Sequence, residues 1–250
     1  MDIDKQPVRP HKVFKKRYPV IPSVSSSSED IVFKRESSEP WDDYGERIRI
    51  KPGIYLAFRK RYPHSAVMVH MVESPPSDVN INAVVHRNIV QLYRIYISSK
   101  CWSLVYGLTM VSMKDILTFR PCWGQAETAA LSRGVLQGLK HLHEILHISH
   151  GDLRPETIRI ELNGLVKLSH VGESQLRNNQ DYSRDLEMLA VVIEQLGSYP
   201  KDSLWQNFLD KLKRGEAASS LLKHAVLGRW EGEEQLHHCA VRWLASLTIR

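Results

Sequence analysis

Near residue 112 the apolar residues of this chain change period, and that switch restricts the fold more than any other feature. Before it come short β-branched runs, IRI, GIYLAF and SAVMVHMV, separated by Pro, Gly and basic turns. They read as three strands of an antiparallel sheet, and IVQLYRIYI and CWSLVYGL read as a following hairpin. After it the spacing becomes three and four. Leu131, Val135, Leu136, Leu139, Leu142 and Leu146 share one face of a helix expected over Ala126–Leu146. Further helices are expected over Asp185–Leu196, Leu204–Leu212 and Ala217–Leu227. Strands followed by helices argue for α+β architecture with segregated lobes, not a doubly wound sheet.

Residues 1–46 carry little apolar periodicity and hold Pro7, Pro10, Pro19, Pro22, Pro40 and the serine run Ser25–Ser28. They read as a disordered basic and serine-rich tail. Within it, the basic cluster His11–Arg17 and the acids after the serine run read as solvated or linker sequence. The formal charge of +6 is mild and specifies no nucleic-acid partner. Three cysteines, Cys101, Cys122 and Cys239, are too few and too widely spaced for a disulfide framework or a CxxC metal site. No apolar run is long enough to span a membrane, and the N-terminus lacks the apolar stretch of a secretory signal. A cytoplasmic or nuclear location is expected.

The segment after the long helix, HISHGDLRPETIRIELNGLVKLSHVGESQL, carries the chemistry. Two short runs flank Asn163-Gly164 and read as a hairpin behind an acidic loop. Here the chain resembles the protein kinases, whose pattern is H-R-D-L-x-x-x-x-N followed by a hairpin ending in D-F-G. His150, Gly151, Asp152 and Leu153 take the first four places, Arg154 stands where Lys is usual, and Thr157 takes the Asn position. Ser169, His170, Val171 and Gly172 overlie the residue before D-F-G and the motif itself. HRNIVQLYRIYI, WSLVYGLTMVSMKDIL, DLEMLAVVIEQL and FLDKLKRGEAASSLLKHAVL resemble further family segments in the family's order, across roughly residues 48–228.

The resemblance implies a two-lobed fold with a reduced β-rich N-lobe over 47–110 and a helical C-lobe over 111–228. An amphipathic helix is expected within 229–250, packed back on the C-lobe. It also implies roles that several positions here cannot fill. Phosphoryl transfer depends on metal, charge neutralisation and positioning. His170 replaces the metal-binding Asp, and an imidazole is a poor ligand for magnesium. Thr157 replaces the second metal contact. Met68 falls at the phosphate-binding Lys, or His70 with a two-residue shift. The helix that supplies the partnering Glu has little room between Met68 and His86, and Pro75 and Pro76 interrupt it. Gly53 alone remains of the glycine-rich loop, and Gly151 removes the Arg that pairs with a phosphorylated activation loop. Asp152 survives at the catalytic-base position, and Asp185 matches the central-helix Asp that anchors the loop beside His150.

The expected function is therefore that of a catalytically inactive kinase-like domain, a scaffold or allosteric partner of a signalling protein such as an active kinase. It needs no cofactor and no metal. The alternative is a divergent serine/threonine kinase using ATP and magnesium, with Glu173 as the replacement acid. Two other readings are weaker. HEILH at 143–147 matches the HExxH pattern of zinc peptidases, but it closes a helix whose end commonly carries such residues in kinases. HGDL also occurs in small-molecule kinases, whose Asn and metal-binding Asp are missing here as well.

Overall fold

A computed structural model describes residues 34–62, 64–73, 81–99, 101–119, 123–229, 232 and 234–247. The basic cluster at His11–Arg17 and the serine run with its acids lie outside the described residues. Alternating β-branched residues build the first sheet. Its members in chain order are β1 (Lys34–Glu36), a short helix α1 (Pro40–Asp43), β2 (Tyr44–Lys51), β3 (Ile54–Arg59), β4 (Ala66–Glu73), β5 (Leu92–Ile97) and β6 (Cys101–Gly107). The spatial order is β1-β5-β6-β4-β3-β2. Strands β2 to β6 pair antiparallel, and β1 adds a parallel edge to β5 with Arg35 opposite Ile95.

The ordered part thus begins before residue 47, which corrects the reading of 1–46 as a single disordered tail. Propensity concealed it, because KRE and PWDD carry no strand or helix signal. Tertiary partners hold it instead. Tyr44 is buried, and Asp43 accepts from Tyr96 Oη at 2.6 Å and from Arg94 Nη1 at 3.0 Å.

The two faces of the sheet bury different clusters. Val67, Val69, Ala57 and Val105 pack with Tyr44 and Tyr96 on one face. Leu92, Leu104, Tyr106 and Trp102 pack on the other with Ile81 and Leu176, and Met68 lies against them. At about 25 cal/mol per Å² of buried apolar surface, such faces supply most of the folding drive.

The chain then enters β7 (Val111–Ser112), α2 (Met113–Phe119) and α3 (Gln125–Lys140). Helix α3 stops short of Leu146, because residues His141–Ile145 widen into a π-helical turn. Hairpin strands β8 (Ile158–Ile160) and β9 (Val166–Leu168) follow, joined through Gly164 at φ 87°. With β7 they form a second antiparallel sheet. Helix α3 lies directly on this hairpin. A Cβ at Gly134 would sit 2.6 Å from Val166 Cβ, and one at Gly138 would sit 2.8 Å from Leu168 Cδ1.

The remaining helices are α4 (Val171–Arg177), α5 (Tyr182–Leu196), α6 (Ser203–Lys213), α7 (Ala218–Leu221) and α8 (Glu234–Leu247), with a 3₁₀ turn at Ala225–Arg229. The single helix expected over Ala217–Leu227 is therefore two short pieces. Helix α8 buries Leu236, Cys239 and Ala240 in the same core as α3, with Trp243 against it. No helix among the described residues is long and apolar enough to cross a membrane.

Candidate functional site

The loop between α3 and β8 is held by one carboxylate. Asp185, buried in the first turn of α5, accepts from His150 N at 2.7 Å and Gly151 N at 2.8 Å, and pairs with His143 Nε2 at 2.8 Å. The π-helical turn carries His143 to this position, where it also stacks on Tyr182. His143 and His147 therefore do not share a metal-facing surface: His143 is buried, whereas His147 is exposed and has left the helix with φ 56°. The His150 ring is buried too, and its Nε2 donates to Ser169 O at 2.8 Å. Burial holds this imidazole below its ordinary range, against the opposing pull of Asp185.

Asp152 and Arg154 lie nearer solvent and pair with each other, Oδ1 to Nε, at 3.2 Å. Thr157 is fully buried and is used inside the loop. Its hydroxyl lies 2.8 Å from Asp152 O and 3.0 Å from Arg154 O, and accepts from Arg154 N at 3.0 Å. The hydroxyl is spent on turning the backbone.

The positions matching D-F-G begin a helix. His170 sits at φ 64°, a left-handed conformation uncommon for a residue with a side chain, and α4 starts at the next residue. Three side chains of α4 then enter the first sheet's side of the molecule. Glu173 Oε1 meets His70 Nδ1 at 2.7 Å, and Glu173 Oε2 accepts from the Tyr106 hydroxyl. Gln175 brackets the backbone of Asn82, accepting from its N at 2.7 Å and donating to its O at 3.1 Å. Leu176 is buried in the cluster of Ile81, Leu92 and Tyr106. The Tyr106 hydroxyl also accepts from Gly172 N at 2.8 Å. The approach is so close that a Cβ on Gly172 would lie 2.5 Å from Tyr106 Oη.

Met68 and His70 share a face of β4 but have different surroundings. Met68 lies against the apolar cluster, and His70 faces α4, its ring 4.7 Å from that of His170. Burial would raise the Glu173 carboxyl, yet the hydrogen bond and charge of His70, with help from His170 and Tyr106, bring it down to about 2. Burial lowers the His170 imidazole to about 4, outweighing the attraction of Glu173. Between Met68 and His86, where the resemblance implies the helix carrying a Glu, the described residues 69–73 and 81–85 contain no helix.

Magnesium, the metal the resemblance implies, does not fit this donor set. It demands near-octahedral oxygen ligands. His170 presents nitrogen, and the Thr157 oxygen is engaged within its own loop. A cavity of about 480 Å³ lies elsewhere, against β1, α1 and the end of β3. Its charges balance, with Arg59, Arg61 and Arg94 facing Glu36, Asp42 and Asp43.

Sequence reasoning named His170, Glu173, Asp152 and Asp185 individually. It missed Tyr106 and Gln175, whose types give no hint that they serve α4. It also missed α4 itself, although VGESQLR contains good helix formers.

Comparison with known proteins agrees with this geometry. Residues 77–190 match the model of the protein kinase domain. The serine/threonine-protein kinase SMU1 of Mycosarcoma maydis is 26% identical over 169 residues, covering 61% of this chain and 22% of that protein. Mitogen-activated protein kinase kinase 2 of Arabidopsis thaliana is 30% identical over 117 residues, covering 40% of this chain and 32% of that protein. The chain thus spans less than a third of the length of these relatives.

Proposed function

Because the chain is a member of the protein kinase superfamily, we propose that it acts as a non-catalytic kinase-like domain whose output is binding to a protein partner, with an active kinase a natural candidate. One observation carries this reading. The segment that would have to present a metal-binding carboxylate to nucleotide phosphates is folded into α4 and tied to the sheet through Glu173, Gln175 and Leu176. Freeing Glu173 to ligate magnesium would break a buried carboxylate–imidazole contact and leave the Tyr106 hydroxyl without its acceptor, a cost of several kcal/mol.

The surviving Asp152 does not change the balance. A general base contributes only when the reacting group is already positioned and its charge neutralised. Here the β4 position facing the site carries His70, which is already engaged by Glu173. The anchoring of the loop by Asp185 serves the scaffold equally well without catalysis.

The test is a thermal-shift titration of the chain with ATP, with and without magnesium or manganese, alongside a phosphate-transfer assay. The expected result is no metal-dependent stabilisation and no transfer. A rise of several degrees that requires metal, together with transfer abolished by Asp152→Ala, would establish an active divergent kinase instead.

A further inference from the structure

Three side chains from three separate places in the sequence converge between the first sheet and α4. His70 comes from β4, His170 from the residue capping α4, and Glu173 from its first turn. One ligand atom from each lies within 4.8 Å of the others. Two imidazoles and one carboxylate form the donor set that catalytic zinc sites use, with a fourth position left for water. Magnesium takes oxygen ligands, so the cluster selects against the family's metal while offering nitrogen to a borderline one.

The surroundings orient the donors. The Ser169 hydroxyl has one hydrogen, and Thr157 O, an acceptor only, takes it at 3.0 Å. The contact between Ser169 Oγ and His170 Nδ1 at 2.8 Å must therefore be donated by the imidazole. This leaves Nε2 of His170 with the free lone pair. A ligating histidine held through its other nitrogen is the arrangement that fixes tautomer and ring direction at protein metal sites. Tyr106 does the same for the carboxylate by donating to Oε2 of Glu173. Oε1 faces His70 Nδ1 at 2.7 Å, a separation that widens by about 0.7 Å when a metal at ~2.1 Å from each replaces the shared hydrogen. His170 must close by up to about 1.4 Å toward the other two, because ligand atoms around tetrahedral zinc stand roughly 3.4 Å apart.

We propose that His70, His170 and Glu173 bind a single zinc-class divalent ion that clamps α4 to β4. The clamp does not depend on whether the chain transfers phosphate, and its test uses no nucleotide.

The metal-free 250-residue chain is titrated with zinc against a chromophoric chelator, and separately with cobalt as a spectroscopic probe. The expected result is one equivalent bound, visible cobalt absorption typical of a tetrahedral site, and a zinc-dependent rise in melting temperature. His170→Asn is expected to weaken zinc binding by about 100-fold or more, with the circular dichroism of the metal-free protein unchanged. If that variant does not fold, Glu173→Gln serves in its place. His237→Asn with His238→Asn removes two imidazoles beside Cys239, outside the cluster, and should leave zinc affinity as it was. The proposal is overturned if no stoichiometric zinc binds, if His170→Asn binds as tightly as the parent, or if the His237/His238 variant loses the site.

Discussion

Glu173 and His70 stand 103 positions apart in the chain and meet at 2.7 Å, so one carboxylate joins helix α4 to strand β4. The other oxygen of that carboxylate is held by Tyr106. Glu173→Ala leaves the His70 imidazole and the Tyr106 hydroxyl hydrogen without their acceptor in a mostly buried place and is expected to destabilise the chain by about 3–5 kcal/mol. Tyr106→Phe removes the hydroxyl that also accepts from Gly172 N, for about 1–2 kcal/mol. The two losses should not add, because they share Glu173. A double-mutant cycle on urea midpoints measures the coupling.

Asp185 collects three donors on its two carboxylate oxygens. Asp185→Asn turns an NH₂ group toward a donor at one of those contacts. A loss of about 3 kcal/mol is expected, with the loop at 149–152 the first part to exchange its amide hydrogens. Hydrogen exchange resolved by residue checks both parts.

Gly134 sets two effects of opposite sign against each other. Alanine is favoured over glycine inside a helix by about 1 kcal/mol. Against this, the new Cβ would lie 2.6 Å from Val166 Cβ, and overpacking costs about 1–3 kcal/mol. The clash should win, so Gly134→Ala is expected to lower the melting temperature. Gly228→Ala, with nothing within 4 Å of the added carbon, should leave it nearly unchanged.

His150 is held neutral by burial, with its folded pKa below the ordinary value of about 6.5. The unfolded chain therefore binds the extra proton first as the pH falls. Stability from this group is complete above about 6.5 and declines as the pH drops from there toward the folded value. Urea midpoints at about pH 7.5 and 5.5 should show the decline, and His150→Gln should reduce it, the remainder coming from buried groups such as His170.

The strands and most helices were legible because their apolar residues repeat with the right period. β3, β4, β5 and β6 fall on the runs that alternate, and α5 and α6 on the runs spaced by three and four. Other elements were not, three of them instructive. β1 has no apolar pattern and exists through its pairing with β5. The end of α3 reads as continuous helix, yet His143 widens the turn to reach Asp185, a partner 42 positions away. α4 begins within the positions that overlie D-F-G, where no helix was expected, and tertiary anchors at Glu173, Gln175 and Leu176 hold it. The site shows the same division. The residue types at 150, 152, 157 and 170 are visible in a motif, whereas the choice between Met68 and His70 at the site depends on which of two same-face residues meets α4.

The parallel strand β1 has a consequence for self-association. An open sheet border offers unpaired backbone groups to any extended segment, including one from a second copy. By laying Lys34–Glu36 along β5, the chain occupies that border with its own residues. The opposite border is β2, whose Ile48 and Ile50 are exposed. There the guard is electrostatic: Arg47, Arg49 and Lys51 alternate with those isoleucines, and an identical strand approaching would bring like charges together. One rim of the sheet is thus a strand of three residues, too short to template a long partner, and the other repels its own kind.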